Sequence, residues 1–283
     1  MPDSTTRTGD TADVIEAPLN FLADFDAKPQ VMMSQQHAED NQRTGVFRDV
    51  GVHIADARDL ADAPTLDREG FAHRDHNSAI DDFYDDDAIT SIYYAEVTSM
   101  LKAATGATDV HIFDHTVRVE DDAKRQMTER RSPVLVAHND YTEKSGPQRV
   151  RDLLEPAKAE RYLAHRFAMV NVWRSIGASA ERRPLAVADA RTMTDADFVA
   201  TDLVYEDRTG EIYQVAHDDR QRWYYFSDLG ADDVVLLKCF DTATDGRARY
   251  TAHTGFENPA APAGTPPRES IEVRTLLSFA PAD

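Results

Sequence analysis

The second half of the chain is a close succession of short apolar segments, and this succession most constrains the fold. Turn signals separate the segments, including 207–210 (DRTG) and 245–246 (DG). The segments predicted as strands are 165–176, 184–192, 202–226 (which contains a hairpin), 232–241, 249–258 and 270–280. Many short strands between turns are typical of an antiparallel sandwich or barrel. We therefore predict a mainly β fold with helical additions (α+β), namely a double-stranded β-helix of the jelly-roll, cupin-like kind.

The first half of the chain is predicted to be richer in helix. Apolar residues recur near a period of 3.6 residues between positions 87 and 106, which indicates an amphipathic helix. A second helix is predicted over 150–163, kinked or split at Pro156. Residues 1–14 are polar and are predicted to be a disordered tail. This leaves 15–283 as a single domain with a helix-containing N-terminal part.

Charge and composition restrict the partners of the chain. The 31 Lys and Arg residues against 51 Asp and Glu residues give a net charge of −20, which disfavours nucleic acid and anionic membranes. No window reaches the roughly 18 apolar residues of a membrane span, and the N-terminus lacks the pattern of a secretory signal. The single Cys239 cannot form an internal disulfide, which fits a cytoplasmic setting. The oligomeric state stays open.

The stretch 132–140, SPVLVAHND, carries the first candidate for chemistry. Its apolar, β-branched run predicts a buried strand that ends at His138-Asn139-Asp140. Because side chains alternate along a strand, His138 and Asp140 face the same side and could hold two neighbouring positions on one metal ion. This triplet also arises by chance, and Asp140 could instead cap the turn that follows the strand.

A third metal ligand is predicted on a later strand. His253 in RYTAHTGF is the favoured candidate, and His217, which lies in a more polar segment, is the alternative. Two histidines and one carboxylate form the facial triad of non-haem iron(II) oxygenases. We therefore predict His138, Asp140 and His253 as the metal-binding and catalytic residues.

The last predicted strand offers a binding group for a 2-oxo acid cosubstrate. A guanidinium can hold a carboxylate by two parallel hydrogen bonds. Arg268 belongs to an RxS triplet in which Ser270 could add a hydroxyl to the same carboxylate. Arg274 lies deeper in the strand, where an inward charge without a partner is costly. The burial argument narrowly favours Arg274, and all three residues are predicted to bind the cosubstrate.

These motifs together resemble one enzyme family. HND, TAHTGFENP and PPRESIEVR resemble the HxD, distal His and RxS pattern of iron(II)/2-oxoglutarate-dependent oxygenases. The segments NVWR, DAR and LLKCFD resemble more narrowly the branch with the cephamycin 7α-methoxylation protein, the AsaB-type hydroxylase/desaturase and the gibberellin-desaturase-like proteins. The resemblance runs from about Phe113 to Phe279 and implies Fe(II), 2-oxoglutarate and O2 as cofactor and cosubstrates.

The resemblance implies hydroxylation or desaturation of a small-molecule intermediate of secondary metabolism, with release of succinate and CO2. Arg174, Trp173 and Tyr225 are predicted to line the substrate pocket, although alternate residues of a barrel strand are core by default. Two other functions stay open at this point. One is a metal-free jelly-roll subunit that binds or assists a biosynthetic enzyme, and the other is a metallohydrolase or isomerase with the same triad.

Overall fold

The computed structural model describes residues 14–33 and 41–281. The predicted tail at 1–14 therefore lies outside the described residues, except for Val14, which begins the first strand. No helix among the described residues combines the length and the apolar character that a membrane span requires.

Strands dominate the described part of the chain. They are β1 (Val14–Asp24), β2 (Gln30–Met32), β3 (Gln42–Arg43), β4 (Val46–Asp56), β5 (Phe71–Asp75), β6 (Asp109–Val119), β7 (His138–Asn139), β8 (Phe167–Ser175), β9 (Leu185–Ala188), β10 (Phe198–Val204), β11 (Thr209–Val215), β12 (Trp223–Tyr225), β13 (Asp233–Asp241), β14 (His253–Gly255) and β15 (Glu269–Ser278). The helices are α1 (Asp86–Ala88), a π-helical segment (Ile89–Tyr93), α2 (Tyr94–Thr105), α3 (Asp122–Thr128), α4 (Ser145–Leu153) and α5 (Pro156–Leu163). Short 3-10 turns occupy Ala57–Asp59, Ala190–Thr192 and Asp195–Asp197.

The strands form two sheets among the described residues. The larger has the order β1-β4-β12-β9-β14-β7-β11-β10-β2-β3, and the smaller has the order β5-β13-β8-β15-β6. One apolar cluster contains Leu185 and Val187 of the larger sheet together with Met169, Trp173 and Leu237 of the smaller, so the two sheets pack on a shared core. A mainly β fold with helical additions is thereby confirmed.

The prediction of a helix-rich first half was wrong, since seven strands, β1 to β7, lie there within the described residues. Strands β1 and β4 each have 11 residues and pair antiparallel along their length. Pro18 in the middle of β1 obscured the strand in the sequence, because proline lacks the N–H that a central strand must donate. β1 lies at the edge of the sheet, where proline is tolerated, and its alternate residues Ile15, Ala17 and Leu19 are buried.

The predicted helices are confirmed, with refinements at their ends. The 87–106 segment forms α1, the π-helical segment and α2, and Gly106 ends it with φ 74°, a left-handed conformation that glycine adopts without strain. The 150–163 segment is split, since α4 ends at Leu153 and α5 begins at Pro156. Proline is favourable at the first position of a helix, where its missing N–H is not needed.

Alternation along β8 decides which of its residues can reach the space between the sheets. Met169 and Trp173 point into the shared core. Val170 and Val172 point the other way and pack with Tyr93 and other residues of the 86–105 helix in a separate apolar cluster. Full burial of each such aliphatic side chain contributes about 1.5–3 kcal/mol, so the direction of β8 is strongly determined.

Candidate metal centre

Strand pairing brings the two predicted histidine ligands together. β7 lies beside β14, and His138 is directly opposite His253 in the antiparallel pair. Side chains directly opposite each other share a face, and the two imidazole centroids are 4.5 Å apart. Asp140 follows two residues after His138. One ligand atom from each of the three residues lies within 4.8 Å of the others.

Neighbouring groups orient the triad. The Nδ1–H of His138 donates to the carbonyl oxygen of Val136 at 2.7 Å, which leaves Nε2 with its lone pair, 3.5 Å from Oδ1 of Asp140. Asn171 donates from Nδ2 to Oδ2 of Asp140 at 2.7 Å. Such outer contacts hold ligands in position around a metal. Asn171 belongs to the NVWR motif but was not predicted at the site; its inward position on β8, like that of Trp173, was the available signal.

The local electrostatics favour the metal-binding forms of Asp140 and His253. Burial alone would raise the pKa of Asp140, but the adjacent imidazole of His138 and the charge of Arg274 hold the pKa of this carboxyl well below its usual value. Burial, followed by the charge of His138, lowers the pKa of His253 to about 4. A carboxylate and neutral imidazoles are the forms that ligate metals.

The residues present fit an iron(II) ion. Two imidazoles and one carboxylate are the donor set of the non-haem iron(II) triad. Nδ1 of His253 and Oδ1 of Asn171 are both buried without a hydrogen-bond partner among the described residues. Buried polar atoms are normally paired, so these two atoms indicate that the site is completed by a bound group. His217, the alternative ligand, packs edge-on against Phe21 and lies outside the cluster.

A second group of potential ligands fits a metal less well. His73, Asp75 and Asp233 also lie within 4.8 Å of one another. Asp233 already accepts hydrogen bonds from Arg58 at 3.2 Å and from the backbone of Gly230 at 2.8 Å. Its carboxylate is therefore satisfied by protein donors.

A cavity of about 410 Å³ opens beside the triad. His138, Asp140 and Arg274 line it together with Phe113 and Tyr141. Its size is in the range of small-molecule sites, which usually combine an apolar wall with a few polar groups.

The two predicted cosubstrate arginines have different surroundings. Arg274 contacts three carboxylates: Asp140 at 3.4 Å, Asp114 at 3.0 Å and Glu272 at 2.5 Å. The buried charge of Arg274 is thus already compensated by carboxylates of the protein, so its burial does not require a bound cosubstrate. Arg274 neutralises charge around Asp140 and has little capacity left for another carboxylate.

Arg268 is buried, and only its backbone N–H, not its guanidinium, pairs with a carboxylate of the described residues, namely Oε2 of Glu120 at 2.7 Å. Its Nε donates to Oγ of Ser270 at 3.2 Å and its Nη1 to the carbonyl of Arg183 at 3.1 Å. It forms no salt bridge with any carboxylate of the described residues, and its guanidinium lies 5.0 Å from the ring centroid of Trp173. Burial, and then the charge of Arg118, lower the pKa of Arg268 to about 9. An uncompensated buried cation is unfavourable unless an anion joins it.

The position of Arg268 relative to the triad suits a ligand that bridges the two. His253 and Gly255 share a face of β14, about 7 Å apart along the strand. A Cβ atom at position 255 would lie 3.1 Å from Nη1 of Arg268. The guanidinium therefore approaches β14 two residues from a triad histidine, and glycine permits that approach.

The structure does not bring the three predicted substrate residues to this cavity. Trp173 points into the shared core beneath Arg268. Arg174 points to the opposite face of β8, because neighbouring residues of a strand alternate. Tyr225 belongs to a different apolar cluster and lines a separate cavity of about 320 Å³. The direction of their strands gives no support to a substrate-binding role for these residues, which stays a prediction.

Arg174 is instead part of the packing between β8 and the 86–105 helix. It donates from Nε to the hydroxyl of Tyr93 at 3.1 Å and from Nη2 to the carbonyl of His76 at 2.7 Å, and Nη1 donates to the carbonyl of Ala231. We expect Arg174→Met to lower the free energy of unfolding by about 1–3 kcal/mol, because it leaves buried acceptors unpaired. Urea unfolding measures this loss. If the free energy of unfolding is unchanged and 2-oxoglutarate binding is lost, Arg174 acts at the functional site and not in packing.

A jelly-roll core with two histidines and one carboxylate beside a cavity defines the class of non-haem iron(II) oxygenases. The chain belongs to the family of Fe(II)/2-oxoglutarate-dependent dioxygenases and hydroxylase/desaturases, as comparison with known proteins shows. It is 31% identical over 249 residues to the hydroxylase/desaturase efuI of Hormonema carpetanum, covering 80% of this chain and 82% of the relative. It is 32% identical over 233 residues to the Fe(II)/2-oxoglutarate-dependent dioxygenase nvfI of Aspergillus novofumigatus, covering 80% and 82%.

A family model and a solved structure agree with this assignment. The model described as "YDMC: Oxidoreductase/YMDC permease-like domain" matches residues 19–278, so the chain belongs to that family too. The solved iron and alpha-ketoglutarate-dependent endoperoxidase NvfI superposes with a TM-score of 0.83 at 26% identity, over 94% of this chain and 98% of that one. The predicted jelly roll, the resemblance and the cofactor set of Fe(II), 2-oxoglutarate and O2 are confirmed. The metal-free binding subunit and the hydrolase are not supported.

Proposed function

We propose that this enzyme hydroxylates or desaturates a small-molecule intermediate of secondary metabolism at the cavity beside the triad. The observation that carries the proposal is the convergence of three ligand atoms within 4.8 Å, beside a cavity of about 410 Å³, in a chain of this family. The substrate is a small molecule and not nucleic acid, in keeping with the net charge of −20. A cytoplasmic location is part of the proposal and is supported by the free, buried Cys239.

In this proposal His138, Asp140 and His253 hold the iron, and Arg268 with Ser270 holds the far carboxylate of 2-oxoglutarate. The iron and the 2-oxo acid supply the oxidation when bound, with succinate and CO2 as coproducts. The protein supplies position and charge. Asn171 and Arg274 hold Oδ2 of Asp140 and leave Oδ1 towards His138. The apolar core around Trp173 keeps water from the carboxylate subsite.

An anaerobic spectroscopic experiment tests the proposal. The protein loaded with Fe(II) should develop a weak visible metal-to-ligand charge-transfer band when 2-oxoglutarate is added, because the 2-oxo acid chelates the metal. Addition of O2 should then release succinate slowly without any substrate. Protein loaded with Zn(II) is the control and should give neither signal. The absence of both band and succinate from the iron-loaded protein would favour the metal-free binding module.

A further inference from the structure

Arg118 on β6 faces the same region as Arg268. In the antiparallel pairing of β6 with β15, Arg118 is directly opposite Ser270, the serine of the RxS triplet. Directly opposite side chains share a face and lie close together, and the diagonal neighbours of Arg118 on that face are Arg268 and Glu272. Arg118 also lines the cavity beside the triad. It therefore lies between the cavity and the buried RxS arginine.

The guanidinium of Arg118, like that of Arg268, has no carboxylate partner among the described residues. Its Nη1 donates to the carbonyl of Ser132 at 2.8 Å, and it forms no salt bridge with a carboxylate in the described ranges 14–33 and 41–281. The neighbouring acids are engaged elsewhere, since Glu272 binds Arg274 at 2.5 Å and Glu120 lies 3.0 Å from Arg182. Burial lowers the pKa of Arg118; the charge of Glu272 opposes this and that of Arg274 adds to it.

Two guanidinium groups that flank one serine hydroxyl repel each other. The charge of Arg118 is the largest electrostatic influence on Arg268 after burial, so the two groups are close enough to interact. In a region with little water, two such cations are stabilised only by an anion that both can contact. Arginine forms paired hydrogen bonds to a carboxylate, and the two carboxylate oxygens together offer about four acceptor positions, enough for two such donors.

We propose that Arg118 is a second guanidinium at the subsite for the far carboxylate of 2-oxoglutarate, opposite Arg268 and beside Ser270. The inference rests on the proposed function, since it assumes that 2-oxoglutarate binds at the triad. It makes Arg118 a residue that determines specificity: with two cations at the subsite, a 2-oxo acid that lacks the second carboxylate leaves both charges unpaired. The enzyme therefore discriminates against monocarboxylate 2-oxo acids more strongly than Arg268 alone would allow.

Anaerobic binding titrations of the Fe(II)-loaded protein test this role. The ligands are 2-oxoglutarate and 2-oxopentanoate, which has the same chain length without the far carboxylate. Arg118→Gln should raise the Kd of 2-oxoglutarate about tenfold, equivalent to about 1.4 kcal/mol, and leave the Kd of 2-oxopentanoate nearly unchanged. Arg118→Lys retains the charge without the paired donors and should give a smaller rise. A merely structural role would weaken both ligands alike, which would contradict the proposal.

Arg151→Gln is the matched control. Arg151 is exposed on α4, where its Nη1 donates to the carbonyl of Pro147 at 3.3 Å, and it is not among the described residues that line the cavity beside the triad. This variant removes the same charge without altering the face that carries Ser270. Its Kd for 2-oxoglutarate should equal that of the wild type. Equal affinities of wild type and Arg118→Gln for 2-oxoglutarate would overturn the inference while leaving the proposed function intact. Only a wild type that fails to bind 2-oxoglutarate would remove the function itself.

Discussion

His138→Ala and His253→Ala each weaken Fe(II) binding by at least about 100-fold, since loss of an outer-shell partner alone typically costs 10–100-fold and these changes remove a ligand. Asp140→Ala has a similar or slightly smaller effect. The reason is geometric: the three residues present ligand atoms within 4.8 Å of one another, and two remaining ligands cannot retain the ion against water. Iron content after anaerobic loading and desalting measures the loss.

His217→Ala is the control for this experiment. His217 lies in a loop against Phe21 and was the alternative ligand, so its removal takes away an imidazole without touching the triad. This variant should retain the iron content of the wild type. Circular dichroism should show folded protein for all four variants. Full iron content in His253→Ala, or its loss in His217→Ala, would show that the triad is misassigned.

Arg268→Gln raises the Kd of 2-oxoglutarate at saturating Fe(II) by at least tenfold. Truncating one partner of a buried charge pair costs about 2–5 kcal/mol, and about 1.4 kcal/mol corresponds to a factor of ten. Glutamine is shorter than arginine and lacks the paired donors of the guanidinium, so the change removes both the charge and the two-pronged hydrogen bonding. Anaerobic titration of the charge-transfer band measures the affinity.

Arg274→Gln separates the two arginines predicted from the sequence. Arg274 is held by Asp140, Asp114 and Glu272, so its loss should weaken iron binding and leave 2-oxoglutarate affinity within about threefold once iron is saturating. A tenfold change in Kd is equivalent to about 1.4 kcal/mol, so the expected difference in 2-oxoglutarate affinity between Arg268→Gln and Arg274→Gln is easily measured. A large rise in the Kd of 2-oxoglutarate for Arg274→Gln alone would instead identify Arg274 as the cosubstrate-binding arginine.

The sequence predicted the triad because its geometry is mostly local. His138 and Asp140 are two residues apart on one strand, and alternation places them on one face whatever the rest of the fold does. The third ligand required the order of motifs along the chain, which the family resemblance supplied. The sequence could not decide between Arg268 and Arg274, because the decision depends on Asp114 and Asp140, which come from other strands.

The predicted substrate residues lie away from the cavity beside the triad for a related reason. The predicted residues lie in apolar strands, namely Trp173, Arg174 and Tyr225. When a strand is buried on both faces, its sequence does not show which residues point towards the space between the sheets. All nine residues of β8 are buried. Only the neighbouring layers, the shared core on one side and the 86–105 helix on the other, distinguish Asn171 from Arg174. The strand over 109–119 was predicted from the sequence, but 15–60 was predicted only as short strands or turns, because the pattern around Pro18 resembles a turn.

The shortness of the strands that carry the triad has a consequence for folding. β7 has two residues and β14 has three, and each contributes one histidine, so few backbone contacts hold these segments together. With the proposed ligands, a bound ion acts as a cross-link between distant parts of the chain and binds only where they meet. By mass action it stabilises the native state by about 2.7 kcal/mol at a free concentration 100 times its Kd. We therefore expect the thermal stability of this enzyme to depend on the concentration of free iron as well as on the packing of the core.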